Sequence, residues 1–151
     1  MESNETEKIL KHIVGDCLAV RLRMLNRMVT AIYDEALRPH DIRVTQANIL
    51  VAVSAYGPAT VQQLCRVLHM DTSTLSRAVA RIKIKGWLDT EPSGDGKILK
   101  IRATPPGFEM IRQFYPAWKG AQEKAAALLG DTAAEAIAAA GNRHLLEGMT
   151  G

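Results

Sequence analysis

TVQQLCRVLHMDTSTLSRAVARIKIKGWLDTEPSGDGK, residues 60–97, holds two helical periods, a turn between them, a change of period and a glycine-containing loop. In the first part Val61, Leu64, Cys65 and Leu68 share one face of a short helix that starts behind Thr60. His69 and Met70 form the turn. Asp71 or Thr72 caps the next helix, which runs to about Lys85 and ends at Gly86. Residues on a helix advance by about 100° each, so Leu75, Val79 and Ile82 lie on one face. Ser73, Ser76, Arg77 and Arg81 lie on the other, with Ala80 as a small spacer. After Gly86 the period shortens. Trp87 to Glu91 reads as a strand, Pro92 to Gly96 as a tight loop and Lys97 to Ala103 as the returning strand. Helix, turn, helix and β-ribbon in that order predict a winged helix-turn-helix.

Ahead of this stretch, Thr45 is the expected N-cap of a helix over Gln46 to Ala55, closed by Gly57-Pro58. Before it, Ile9, Ile13, Val20, Met24, Met28 and Ile32 recur at helical spacings, predicting one long helix from Glu7 to Leu37 that Pro39 stops. Such a helix is longer than a small domain needs, which points to packing against another subunit. On the other side Thr104 caps a helix that runs through Phe108, Ile111, Phe114 and Trp118 toward Leu129. Pro105 and Pro106 fall in its first turn, and Pro116 is a candidate kink. Gly130-Asp131 separates it from an Ala-rich final helix over Thr132 to Leu146. The predicted fold is therefore mainly α with a small β-ribbon, as a single domain over 1–151. Within it, 45–104 is the winged helix-turn-helix lobe, and 7–38 and 105–147 form a helical dimerisation region.

Composition narrows the function classes. Hydrophobic residues at 47% and charged residues at 23% match an ordinary folded domain and not a disordered chain. Charged residues interrupt every apolar run before membrane-spanning length, so no membrane partner is expected. The start, MESNETEKILKHIVGD, lacks the basic opening and apolar middle of a secretory signal, and a cytoplasmic protein is the expectation. Cys17 and Cys65 do not make a disulfide framework, and no Cys/His spacing fits a metal. Neither paired carboxylates, a nucleophile elbow nor a phosphate-binding glycine loop appears, so neither an enzyme nor a cofactor is expected. The formal net charge is only +3, but between Thr60 and Thr104 eight basic residues stand against four acidic ones. The basic module lies in the middle of the chain.

That module has the chemistry of a duplex reader. Short hydroxyls at Ser73 and Ser76 let a helix approach base edges, where Arg77 and Arg81 can make bidentate contacts with guanine or phosphate. Thr72 and Thr74 sit at the N-terminal end, where free N–H groups favour phosphate. In the ribbon, Asp95 and Lys97 flank Gly96 at the tip, with Lys100 and Arg102 following; Asp95 is placed to hold Lys97 for a minor groove. Lys83 and Lys85 suit either phosphate or solvent. The competing reading of the whole face is a solvated helix on a protein-interaction module without DNA binding.

The stretches VTQANILVAV, TVQQLCRVLHMDTSTLSRAVARIKIKGWL and SGDGKILKIRATPPG strongly resemble the MarR family of bacterial transcription regulators. The most specific parts are Asp71–Arg77, Lys85–Leu88, Asp95–Lys97 and Thr104–Gly107. The resemblance implies a homodimeric regulator, usually a repressor, on a pseudo-palindromic operator, relieved by a small molecule or an oxidant. Two features depart from the family pattern. Lys97 stands where an arginine is usual, giving a point charge without the planar fork. The loop Pro39-His40-Asp41-Ile42-Arg43 also lacks the glycine that relatives often carry there.

Two further readings follow. Some relatives carry a reactive cysteine on the first helix, which makes Cys17 a candidate redox sensor, with Arg21 one turn away as a charge that favours thiolate. A small buried residue is the competing reading. Met24, Met28, Tyr33 and Trp87 are candidates for lining an effector pocket between the first helix and the lobe, or else ordinary core and dimer packing. Cys65 reads as core.

Overall fold

In the computed structural model, which describes residues 2–149, the apolar spacings become seven helices around one antiparallel ribbon. Met1, Thr150 and Gly151, at the ends of the expected 1–151 domain, lie outside the described residues. The helices are α1 (Glu2–Asp16), α2 (Leu18–Leu37), α3 (Val44–Tyr56), α4 (Val61–Leu68), α5 (Thr72–Ile84), α6 (Pro105–Leu129) and α7 (Asp131–Met149). The strands β1 (Leu88–Pro92) and β2 (Leu99–Ala103) lie between α5 and α6, and a 3-10 turn at Arg38–His40 follows α2. The chain is thus mainly α with a small β-ribbon, a winged helix-turn-helix carried between longer helices.

The expected single helix from Glu7 to Leu37 is two helices. Cys17 takes an extended conformation with ψ 107° and separates α1 from α2. The last carbonyls of α1 then need donors, and Arg21 supplies them by reaching back to Val14 O at 3.3 Å, to Gly15 O and to Cys17 O at 3.0 Å. From Asn4 to Asp16 every side chain is exposed, including Ile9, Leu10, Ile13 and Val14. The cap of α3 is also displaced. Arg43 holds the N-cap position and Thr45 lies inside the helix, because Asp34 of α2 accepts from Val44 N at 2.8 Å and Gln46 Oε1 accepts from Arg43 N. The start of α3 is fixed by a carboxylate from another helix, a partner that local sequence does not reveal.

One core unites the lobe. Leu37, Ile49, Leu50, Val53, Leu64, Leu75, Ile82 and Leu88 are its largest fully buried side chains, joined by Ile101 and Phe114. Each such side chain contributes about 1.5–3 kcal/mol by leaving water. Leu75, Val79 and Ile82 form the buried face of α5, as their spacing predicts. On α4 Leu64 is fully buried and Val67 nearly so, with Val61, Cys65 and Leu68 half-buried against the core. His69 closes α4 in the left-handed region at φ 51°, where its N–H donates back to Cys65 O.

The ribbon pairs Leu88 with Ala103, Thr90 with Ile101 and Pro92 with Leu99. Ala59 adds an isolated bridge onto β2, exchanging N–H···O bonds of 3.0 and 2.8 Å with Ile101. Both strands start later than their sequence patterns suggest. Trp87 is held outside the ladder, its N–H donating to Ile82 O and its carbonyl accepting from Thr104 N at 3.1 Å. Lys97 and Ile98 spend their N–H groups within the loop, on Asp95 and Ser93. Thr104 then caps α6, accepting from Gly107 N at 3.1 Å and donating to Gly86 O at 2.6 Å.

Candidate nucleic-acid interface

Helix α5 begins at Asp71, whose carboxylate accepts from Thr74 N at 2.8 Å, from Ser73 Oγ at 2.8 Å and from Thr74 Oγ1 at 2.6 Å. These donors hold the Asp71 carboxyl far below its ordinary range, the Thr74 hydroxyl bond being the largest cause. Three of the expected contact residues are engaged within the protein. The Thr74 N–H and the Ser73 and Thr74 hydroxyl protons are directed at Asp71, and Thr72 Oγ1 accepts a weak bond from Cys65 Sγ at 3.9 Å. The start of α5 is thereby shaped from within the protein. One turn further on the face is free. Ser76, Arg77, Ala80 and Arg81 are exposed, and neither arginine has a hydrogen-bond or ion-pair partner among the described residues.

Not every cation of the basic module is free. Arg102 lies between Asp89 and Glu91 at 3.3 and 3.4 Å. Lys85 pairs with Asp41 at 3.0 Å and sits 4.9 Å above the centre of the Trp87 ring. Lys83 Nζ donates to Thr90 Oγ1 at 3.1 Å. By contrast, Arg66, Arg77, Arg81, Lys97 and Lys100 have side chains without such a partner among the described residues. The free positive charge is thus spread over α4, the outer face of α5 and the wing.

The wing tip is a self-contained turn. Ser93 N donates to Ile98 O, Gly96 N donates to Ser93 O, and Gly96 takes φ 72°. Asp95 accepts from Ser93 Oγ at 2.5 Å and from Lys97 N at 3.0 Å, and these bonds hold its carboxyl below the usual range. Asp95 therefore fixes the backbone of Lys97 and leaves the ammonium free, where the sequence suggested a grip on the side chain.

A third set of residues joins α5 in space and was not expected from sequence to take part in this site. Arg43, Thr45 and Gln46 at the start of α3 face Thr74, Arg77, Ala78 and Arg81 across a cleft of about 420 Å³. Arg43 and Arg81 also line a larger cleft of about 610 Å³ with Asp41 and Lys85. An unpaired arginine just before a helix was the only signal in the sequence, and it meets the α5 arginines only after folding.

The candidate effector residues are not gathered in one place. Tyr33 lines a cavity of about 340 Å³ with Asn26, Thr30, Asn48, Trp118 and Gln122; Met24, Met28 and Trp87 are not among its walls. Met24 and Met28 are exposed instead, in continuity with the apolar side of α1 and α2. Tyr33 donates to Gln122 Oε1, and burial pushes its phenol up, so it stays a donor. Cys17 is half-buried at the α1–α2 break, where Arg21 is committed to backbone carbonyls. Among the described residues no three His, Cys, Asp or Glu side chains are grouped to hold a metal, and no helix is long and apolar enough to cross a membrane.

A helix-turn-helix followed by a ribbon, with free cations on the outer helix face and the ribbon tip, defines a winged helix-turn-helix protein. Residues 40–97 match the MarR family, the stretch that contains all of α3, α4, α5 and β1. The multiple antibiotic resistance protein MarR of Salmonella typhimurium is 30% identical over 91 residues, covering 60% of this chain and 63% of that protein. The chain thus matches just under two thirds of the length of this relative. Among solved structures, a probable transcriptional regulator from Pseudomonas aeruginosa has a TM-score of 0.76 at 24% identity, covering 86% of this chain and 98% of its own. A MarR variant from Escherichia coli complexed with operator DNA has a TM-score of 0.74 at 20% identity, covering 93% of this chain and 97% of its own. The match to the MarR family thus falls on the winged-helix lobe, where the chain carries the corresponding motifs.

Proposed function

We propose that the protein is a sequence-specific, homodimeric DNA-binding transcription regulator, acting as a repressor that a small molecule or an oxidant relieves. One observation carries the DNA-binding part: Arg77 and Arg81 stand exposed, and unpaired among the described residues, on the outer face of a helix whose inner face, Leu75, Val79 and Ile82, is buried. A helix so docked projects its arginines as a rigid unit into a major groove, and the wing carries Lys97 and Lys100 toward the flanking minor groove. In this reading Ser76, Arg77 and Arg81 read bases or phosphates, while Thr72, Ser73 and Thr74 approach the backbone. Asp95 shapes the wing. The fold shared with a MarR variant complexed with operator DNA supports the same reading.

Dimerisation is supported by the exposed apolar residues Ile9, Leu10, Ile13 and Val14 on α1, with Leu18, Val20, Leu22 and Met24 on α2. A patch of this extent marks an interaction surface, and a second copy brings two reading heads onto one duplex face. The lobe over 45–104 binds DNA, and 7–38 with 105–147 joins the subunits. The Tyr33 cavity, walled by α2, α3 and α6, is the effector site in this scheme, because a ligand there bears on the packing between the lobe and the long helices.

Duplex binding followed over a salt series tests the reading. Affinity is expected to fall steeply and linearly on logarithmic axes as salt rises. Negligible binding at low salt would leave a protein-interaction module as the better account. The oxidant branch is tested by mild peroxide on wild type and Cys17→Ser. Loss of duplex binding in wild type alone would place the sensor at Cys17; equal loss in both removes it.

A further inference from the structure

We infer that the cleft between the start of α3 and helix α5 seats a phosphodiester of the DNA backbone, with Arg43 as its positioning residue. The inference rests on the DNA-binding reading and extends it to an element outside the helix-turn-helix and the wing.

Three guanidinium groups from two elements line this cleft, Arg43 on one wall and Arg77 and Arg81 on the other. No acidic side chain is among its walls. The acids nearest in the adjoining cleft are already engaged: Asp34 accepts from Val44 N, Glu35 pairs with Arg38 at 2.5 Å and Asp41 pairs with Lys85 at 3.0 Å. Among the described residues Arg43 and Arg81 therefore have no counter-ion, and like charges gathered at one cleft favour an anion from outside. Gln46 directs its Oε1 to Arg43 N at 3.2 Å, which leaves its amide nitrogen as a further donor. Ala78 is the small side chain among the lining residues, which leaves room for a phosphate between the arginines.

The arrangement favours a phosphate on a polymer over a free one. Arg77 and Arg81 stand one turn apart on the face that enters the groove, so a duplex docked there brings its backbone past Arg43. An arginine fork suits a phosphodiester oxygen pair. A contact of this type carries no base information and instead fixes how far α5 enters the groove.

The test compares wild type, Arg43→Ala, Arg43→Lys and Arg77→Ala on a selected operator and on an unrelated duplex, each over a salt series. Arg43 is exposed and lies outside the core, so the variants keep the fold. Arg43→Ala is expected to weaken both duplexes by the same factor, roughly tenfold at low salt, and to lower the logarithmic salt slope by about one per subunit. Base preference stays unchanged, and Arg43→Lys recovers most of the slope. Arg77→Ala alters base preference, which separates the two roles. Wild-type affinity and slope in Arg43→Ala, while Arg77→Ala loses binding, would overturn the Arg43 assignment and leave the DNA reading intact. A changed base preference in Arg43→Ala also overturns it, by making Arg43 a base reader. Absence of duplex binding by wild type removes both readings together. Titration of the DNA-free protein with inorganic phosphate distinguishes the source of the anion. No saturable binding is expected, and saturable binding lost in Arg43→Ala would assign the cleft to a free anion instead.

Discussion

Arg77→Ala is expected to abolish most of the discrimination between an operator and unrelated duplex while leaving the folded dimer intact. The Arg77 side chain is exposed and has no partner within the protein among the described residues, so its loss leaves no buried group unsatisfied. A bidentate arginine–base contact is worth about 1–3 kcal/mol of discrimination. That is roughly five- to more than a hundredfold for each half-site, and a dimer on a palindrome loses it twice. Binding to unrelated duplex falls much less, because there Arg77 supplies only charge. Competition titrations of the two duplexes measure the ratio directly. A ratio equal to that of wild type would place sequence reading elsewhere, on Arg81 or the wing.

The second large effect concerns stability and the joint between α5 and α6. Gly107 is buried in the first turn of α6. A Cβ there would fall deep inside van der Waals contact of the Trp87 carbonyl oxygen, with Trp87 C at 3.1 Å and Leu50 Cδ1 at 3.2 Å. None of these neighbours yields easily. The Trp87 carbonyl is fixed by the bond from Thr104 N, and Leu50 is fully buried. Overpacking of this kind costs about 1–3 kcal/mol or more, against up to about 1 kcal/mol regained from the better helix propensity of alanine. Gly107→Ala is expected to lower the thermal midpoint by about 4–8 °C for a net loss of about 2 kcal/mol in a chain of this size. Gly107→Val adds bulk at the same point and lowers it further. The thermal midpoints of both variants give the answer, and an unchanged midpoint in Gly107→Val would show that the joint can open. The site matters beyond stability, because Thr104, Gly86, Trp87 and Gly107 together tie the end of the reading helix to the long helix.

Much of this architecture was legible in the chain, and the reasons differ by element. The turn and α5 were legible because their determinants are local: Asp71 caps three residues ahead, and Leu75, Val79 and Ile82 hold the helical period. The wing was legible in outline because Pro92 to Gly96 breaks one period and starts another. The break at Cys17 was not, since its stabilising partner is a side chain four residues on that folds back onto carbonyls. Nor was the displaced cap of α3, which depends on Asp34 in a different helix. In the candidate site the same division holds. Arg77 and Arg81 were legible from their spacing opposite the apolar face. The neutralisation of Arg102 was not anticipated, although Asp89 is its cross-strand partner once the register is known. Arg43 could not be placed beside them without tertiary contacts. The predicted pocket failed to assemble for a related reason: helical spacing groups Met24 with Met28, but the packing of α3 and α6 decides which side of α2 faces a cavity.

If two copies of α5 read one duplex, selection of bound sequences from a random duplex pool recovers an inverted repeat whose half-sites lie about 10 base pairs apart, centre to centre. Recovery of no enriched sequence, or of a single half-site without a partner, would rule out paired reading heads.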